Sequence, residues 1–191
     1  MVRDGIVTIS KHASEEGGIT SFRGQAIVPF DPPTVAALIA DPTQQTAVNP
    51  QLKSCSVVSE SPGAVVWHKV FRAKKCMLDI HRDLLFCERR VRVGRLLVFC
   101  ASSSGVDQSL VGSPEKCVRG HVHLAGWVLE EWEAAGGKIH TSLTYLAQVD
   151  LKNLPAAVVE IANKEQPLVV QRISEALEKG VRGAPYQFPK K

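Results

Sequence analysis

Apolar and polar residues alternate with a period of two through most of the chain, and a three-and-four-residue apolar stripe replaces that pattern at its end. Segments 6–10, 20–29, 52–60, 65–72, 77–90, 95–102, 117–129 and 139–149 read as strands, with turn chemistry at Pro62-Gly63, Gly94, Gly112 to Pro114 and Gly136-Gly137. Hairpin-length connections predict a mostly antiparallel sheet. The longer connection 103–115 is rich in glycine and serine and is expected to be a mobile loop. Asp31-Pro32-Pro33 supplies an acidic N-cap and first-turn prolines for a helix through Val35, Leu38 and Ile39, which Pro42 ends. A short helical turn is expected over 43–48.

The last strand runs into Asp150-Leu151-Lys152-Asn153-Leu154-Pro155, and one amphipathic helix then continues to about Lys179. Val158, Ile161, Ala162, Val169, Ile173, Ala176 and Leu177 form its stripe, wide enough to cover a sheet face. At 1.5 Å per residue, a helix of about 25 residues would be ~37 Å long. Pro167 interrupts it, and a proline inside a helix costs about 3 kcal/mol unless a bend accommodates it, so a kink is expected near 163–166. A helix laid over a curved sheet can enclose a cavity. The pattern predicts one α+β domain over 1–180 and a disordered tail over 181–191.

Composition changes this picture little. The 191 residues are 45% hydrophobic and 22% charged, with a net charge of +4, and the basic residues make no long run. Arg72, Lys74 and Lys75, and then Arg89, Arg90, Arg92 and Arg95, fall at strand ends and hairpins and read as solvated edge residues. Five cysteines, an odd number without Cys-x-x-Cys spacing, argue against a disulfide framework or a zinc ribbon and for reduced, intracellular thiols. No signal peptide is visible, and the longest uncharged apolar run, 96–106, is too short to span a bilayer.

Strand faces locate the candidate chemistry. Leu78, Ile80, Arg82, Leu84, Phe86 and Glu88 share one face of their strand, opposite Asp79, His81, Asp83 and Arg89. In the preceding strand Val65, Trp67, Lys69 and Phe71 form the apolar face. Charges on an apolar wall need partners, and Lys69 with Glu88 is the natural pair if these strands are neighbours. Arg82 and Asp83 face opposite ways and are expected to be structural, each with its own partner. His121 and His123 share a face with Arg119 and Trp127 but lack a third ligand, so neither a metal nor a cofactor is expected. Trp132, in a charged segment, is a candidate membrane-interface anchor. Enzymatic signatures are absent, as is the aromatic and basic interleaving of nucleic-acid-binding sheets.

Arg82-Asp83-Leu84-Leu85, Val118-Arg119-Gly120 followed by Gly126-Trp127-Val128-Leu129, and Leu143-Thr144-Tyr145 through Asp150-Leu151-Lys152 to Pro155 stand in an order that resembles the StAR-related lipid-transfer (START) family. The resemblance implies a helix-grip fold, in which a curved antiparallel sheet wraps around the C-terminal helix and an internal hydrophobic tunnel. It also implies a non-enzymatic, cytoplasmic carrier or sensor of one lipid or sterol-like molecule, touching membrane surfaces transiently and acting as a monomer or as a module of a larger protein.

Lys69 and Glu88 coincide with the acid and arginine that line the tunnel of sterol-binding members, with the signs exchanged. The implied ligand wall comprises Lys69, Glu88, Arg82, Trp67, Phe71, Leu84 and Phe86, with Val158, Ile161 and Val169 from the helix. Asn153 stands where the family usually has glycine, a position asparagine tolerates. Two alternatives stay open: a helix-grip hydrolase or cyclase using Glu88, Lys69 or His68 as acid or base, and a regulatory module with a vestigial pocket.

Overall fold

The computed structural model describes residues 7–12, 19–75, 78–155, 159 and 165–187. Among these residues nine strands form one sheet: β1 (Thr8–His12), β2 (Ser21–Val28), β3 (Leu52–Ser61), β4 (Ala64–Lys75), β5 (Leu78–Val93), β6 (Leu96–Ser102), β7 (Val118–Arg119), β8 (His121–Glu133) and β9 (Ile139–Asp150). The order is β1-β2-β9-β8-β6-β5-β4-β3, antiparallel throughout, except that β7 lies parallel to β5 beside its first half. Helices α1 (Pro32–Ala40) and α2 (Gln45–Val48) fill the crossover from β2 to β3, and α3 (Val169–Glu178) closes the described fold. Asp31 caps α1 by accepting from the Thr34 amide at 2.9 Å, as its position before two prolines predicts.

One sheet face is the inner face. Against it α1 and α3 bury Val28, Leu38, Phe99, Leu129, Leu143, Val170, Ile173 and Leu177 in one core cluster. A second cluster under β4 and β5 contains Val65, Trp67, Leu84, Phe86 and Val122. The curved sheet gripping a C-terminal helix is the helix-grip architecture expected from the sequence.

Several expectations change. The strand expected over 117–129 is two strands, because Gly120 turns between them where its amide donates to the Asp83 carbonyl at 2.9 Å and an added Cβ would meet the Leu84 side chain at 2.7 Å. A bulge between Val122 and Leu124 then shifts the register of β8 against β9. It reverses the alternation: His121 and Trp127 no longer share a face, and Val122, Ala125 and Trp127 all line the inner side.

The helix does not run unbroken through Pro167. Gln166–Leu168 is a 3₁₀ turn from which α3 starts, consistent with the hydrogen bond a proline removes. Part of the expected kink, 163–164, lies outside the described residues. Within the stretch that the sequence places in a tail, the Ala184 amide donates to Asp41 at 2.8 Å and Gly183 sits on the Ala37 carbonyl of α1.

The loop expected to be mobile is fastened to the outer face. Ser103 Oγ donates to the Leu85 carbonyl at 2.8 Å, Ser113 Oγ to Asp83 Oδ1 at 3.1 Å, and Arg119 joins Asp83 Oδ2 at 2.7 Å to the Val111 carbonyl at 2.8 Å.

The seating of α3 depends on one close approach. A Cβ built on Gly24 of β2 would lie 2.4 Å from the Pro167 carbonyl oxygen. Gly24→Ala must therefore push the 3₁₀ turn off the sheet, and we expect a loss of about 1–3 kcal/mol, read as a lower midpoint in urea at unchanged slope.

Candidate functional site

Between the two core clusters lies a cavity of about 90 Å³. That is room for several waters, and it is well below the roughly 300–1,000 Å³ of typical ligand pockets. Its wall is mostly apolar: Leu52, Phe71, Leu84, Phe86, Val122, Trp127 and Val149 from the sheet, and Val169 and Ile173 from α3. Gln45, Asn49, Lys69, Glu88 and Tyr145 are its polar members. Lys69, Glu88, Phe71, Leu84, Phe86 and Val169, all expected on the wall, are thus gathered around one space. Val158 and Ile161 lie outside the described residues.

The expected Lys69–Glu88 ion pair does not form. Their strands are neighbours, but the register sets Lys69 opposite Leu84 and Val65 opposite Glu88, four residues apart or about 13 Å along the strand. Each has a different partner. Glu88, only 6% exposed, accepts from Arg90 Nε at 2.8 Å and from Trp67 Nε1 at 3.2 Å. Lys69 Nζ donates to Gln45 Oε1 at 2.9 Å. Trp67, expected on the wall, stands behind it, 1% exposed, as the donor that orients Glu88.

Arg82 leaves the cavity altogether. Its guanidinium donates to the carbonyls of Leu151 and Lys152 at 2.5 and 2.8 Å, clasping the turn after β9. In that turn Lys152 and Asn153 take φ of 50° and 48°, the left-handed backbone anticipated at Asn153. Asp83 is wholly buried on the outer face, where it binds His68 Nε2 at 2.9 Å and Arg119. His68 is therefore on the opposite side of the sheet from the cavity.

Two residues were misread or missed. Arg90, grouped with solvated edge arginines, is 3% exposed, and its guanidinium lies 5.5 Å from the ring centres of Trp67 and Phe99 and 4.8 Å from that of Tyr186. The signal was present, since Arg90 continues the alternation Arg82, Leu84, Phe86, Glu88 by one step. Gln45 offered none: α2 carries it to Lys69 from 24 positions away, and no local pattern encodes that contact.

Among the described residues no three His, Cys, Asp or Glu side chains gather as a metal site. His121 and His123 stand edge to face, 4.7 Å between ring centres, on the outer side. Trp132 is 46% exposed. No described helix is long and apolar enough to cross a membrane.

No protein-family model and no curated protein matches the chain. Solved structures do. Human STARD10 is 20% identical, with 94% of this chain and 71% of that chain covered and a TM-score of 0.76. For human StAR-related lipid transfer protein 5 the identity is 19%, the coverage 93% and 85%, and the TM-score 0.76. A STAR-related lipid transfer protein fragment from Xanthomonas axonopodis reaches 0.67 at 10% identity, covering 93% and 97%. The chain has the START fold.

In this START fold the cavity occupies the space between sheet and C-terminal helix, and two of its polar groups yield direct tests. Removing Glu88 leaves a buried arginine without its counter-ion. Glu88→Ala is expected to cost about 3–5 kcal/mol in urea unfolding, and replacing both partners, Glu88→Leu with Arg90→Met, should recover most of it.

Burial pushes the Tyr145 phenol up to about 12. The folded state holds this proton more tightly than the unfolded chain, whose phenol titrates near 10, so the contribution is complete below pH ~10 and fades as pH rises towards 12. Tyr145→Phe should accordingly lessen the fall in unfolding midpoint between pH 9 and pH 11.

Proposed function

We propose that the domain binds one amphiphilic lipid in the cavity and carries or senses it inside the cell, without transforming it. The observation that carries this reading is the apolar wall of Leu84, Phe86, Val122, Trp127, Val149, Val169 and Ile173 interrupted by few polar groups. Such walls bind by removing apolar ligand surface from water, at roughly 25 cal/mol per Å², while a few polar groups set orientation. The START fold supports it, since proteins of this fold include one named a StAR-related lipid transfer protein. With about 90 Å³ enclosed, the wall must also yield to admit a ligand of lipid size, which favours a single-chain or otherwise slender molecule.

An acid–base enzyme fits less well. Of the three groups that could serve, His68 is on the outer face, and Glu88 is occupied by Arg90 and Trp67 about 13 Å along the sheet from Lys69. General acid–base work needs two titratable groups within reach of one reacting atom. Peripheral contact with membranes belongs to the same proposal, with exposed Trp132 as an anchor for the interface.

Native mass spectrometry of the protein purified from cells tests the reading. The expected result is one bound lipid per chain, lost when the cavity is filled by Ala125→Phe. An unliganded wild-type protein that also fails to take up lipid from vesicles would overturn it.

A further inference from the structure

We infer that the occupant of the cavity is an anionic amphiphile whose head is a carboxylate bound by Lys69; this rests on the cavity being a ligand site. Lys69 and Glu88 face the space, and among the described residues only Glu88 has a partner of opposite charge. Glu88 is matched by Arg90, itself 3% exposed, with Trp67 Nε1 as a second donor. Lys69 has no carboxylate within ion-pair distance among the described residues. Its ammonium gives one hydrogen bond, to Gln45 Oε1, and two of its three protons are left over.

Gln45 cannot serve as more than a neutral acceptor. Its Nε2 donates to the Ile39 carbonyl at 2.7 Å, which fixes the amide so that only Oε1 meets Lys69. The ammonium also stands 5.1 Å from the Trp67 ring centre and 5.8 Å from that of Phe86. These rings favour a cation at this spot and hold it against the wall, but they supply no net negative charge. With Glu88 and Arg90 cancelling, the described residues leave the cavity one positive charge.

That charge selects the ligand. A neutral alcohol or sterol would shut out water around an ammonium and leave it unpaired, which opposes binding. A carboxylate cancels it and accepts the two spare protons in charge-assisted hydrogen bonds. A phosphate monoester would bring a second negative charge towards Glu88, with no further cation on the wall to match it.

Titrating the lipid-free protein with decanoate, decanol and decyl phosphate, followed by calorimetry, tests this. Wild-type protein should bind decanoate at least tenfold more tightly than decanol or decyl phosphate. Lys69→Met should lose tenfold or more for decanoate and gain severalfold for decanol, since the unpaired ammonium that opposes a neutral head is gone, and that gain also shows that the variant's cavity is folded. Lys69→Arg, keeping the charge, should restore decanoate binding. Equal affinities for decanoate and decanol in the wild type, abolished together by Ala125→Phe, would overturn the anionic head while leaving the cavity as a lipid site. Decyl phosphate binding more tightly than decanoate would overturn the carboxylate. If none of the three binds, or if Ala125→Phe changes nothing, the cavity reading fails and this one with it.

Discussion

Two consecutive residues of β5, Arg82 and Asp83, hold the two sides of the molecule in register. Strand geometry sends their side chains to opposite faces, and each is buried and fully engaged where it arrives. On the inner side Arg82 binds the carbonyls of the turn after β9, the turn that hands the chain over towards α3. On the outer side Asp83 gathers His68 from β4, Ser113 from the long loop and Arg119 from β7, while its own carbonyl receives the Gly120 amide. A buried charge left without its partner typically costs about 3–5 kcal/mol. The pair is therefore a constraint shared by the sheet, the outer loop and the approach to the closing helix.

The inner face is not treated so evenly. Glu88, Arg90 and Trp67 form a closed polar group within two adjacent strands, made possible because residues two apart on a strand share a face. Among the described residues, Lys69 is matched by a neutral amide from α2 and by no carboxylate. Lys69 and Glu88 both line the cavity, but Glu88 turns to Arg90, which stands outside that lining, and not to Lys69.

Much of this was legible in the sequence because period-two alternation is local. Most strands, the α1 cap and the strand-borne wall residues follow from patterns no longer than a strand, whereas the left-handed turn at Asn153 was implied by the START resemblance. What was not legible depends on pairing between distant segments. Sequence showed that Lys69 and Glu88 share a face but not the register that parts them. The bulge in β8 turned Trp127 inward against the simple count, since one extra residue reverses the alternation beyond it. Arg90 is hidden in its sequence context for another reason: its neighbours Arg89 and Arg92 are exposed, and only the parity of β5 sets it apart from them.

The same contacts decide where the cavity can widen. The sequence predicts a kink at Pro167 and a mobile long loop, but the loop is tied to the outer face and α3 is pinned at both ends. Its leading 3₁₀ turn abuts Gly24, the chain behind it packs Gly183 on Ala37, and Val170, Ile173 and Leu177 between them are almost wholly buried. By contrast, α2 is a single turn of four residues without a side-chain cap, held on the cavity side through Gln45. Segments with few buried contacts open at least cost. Of the described walls, α2 is the one that can yield to a longer ligand, and it is also the wall that carries Gln45, the hydrogen-bond partner of Lys69.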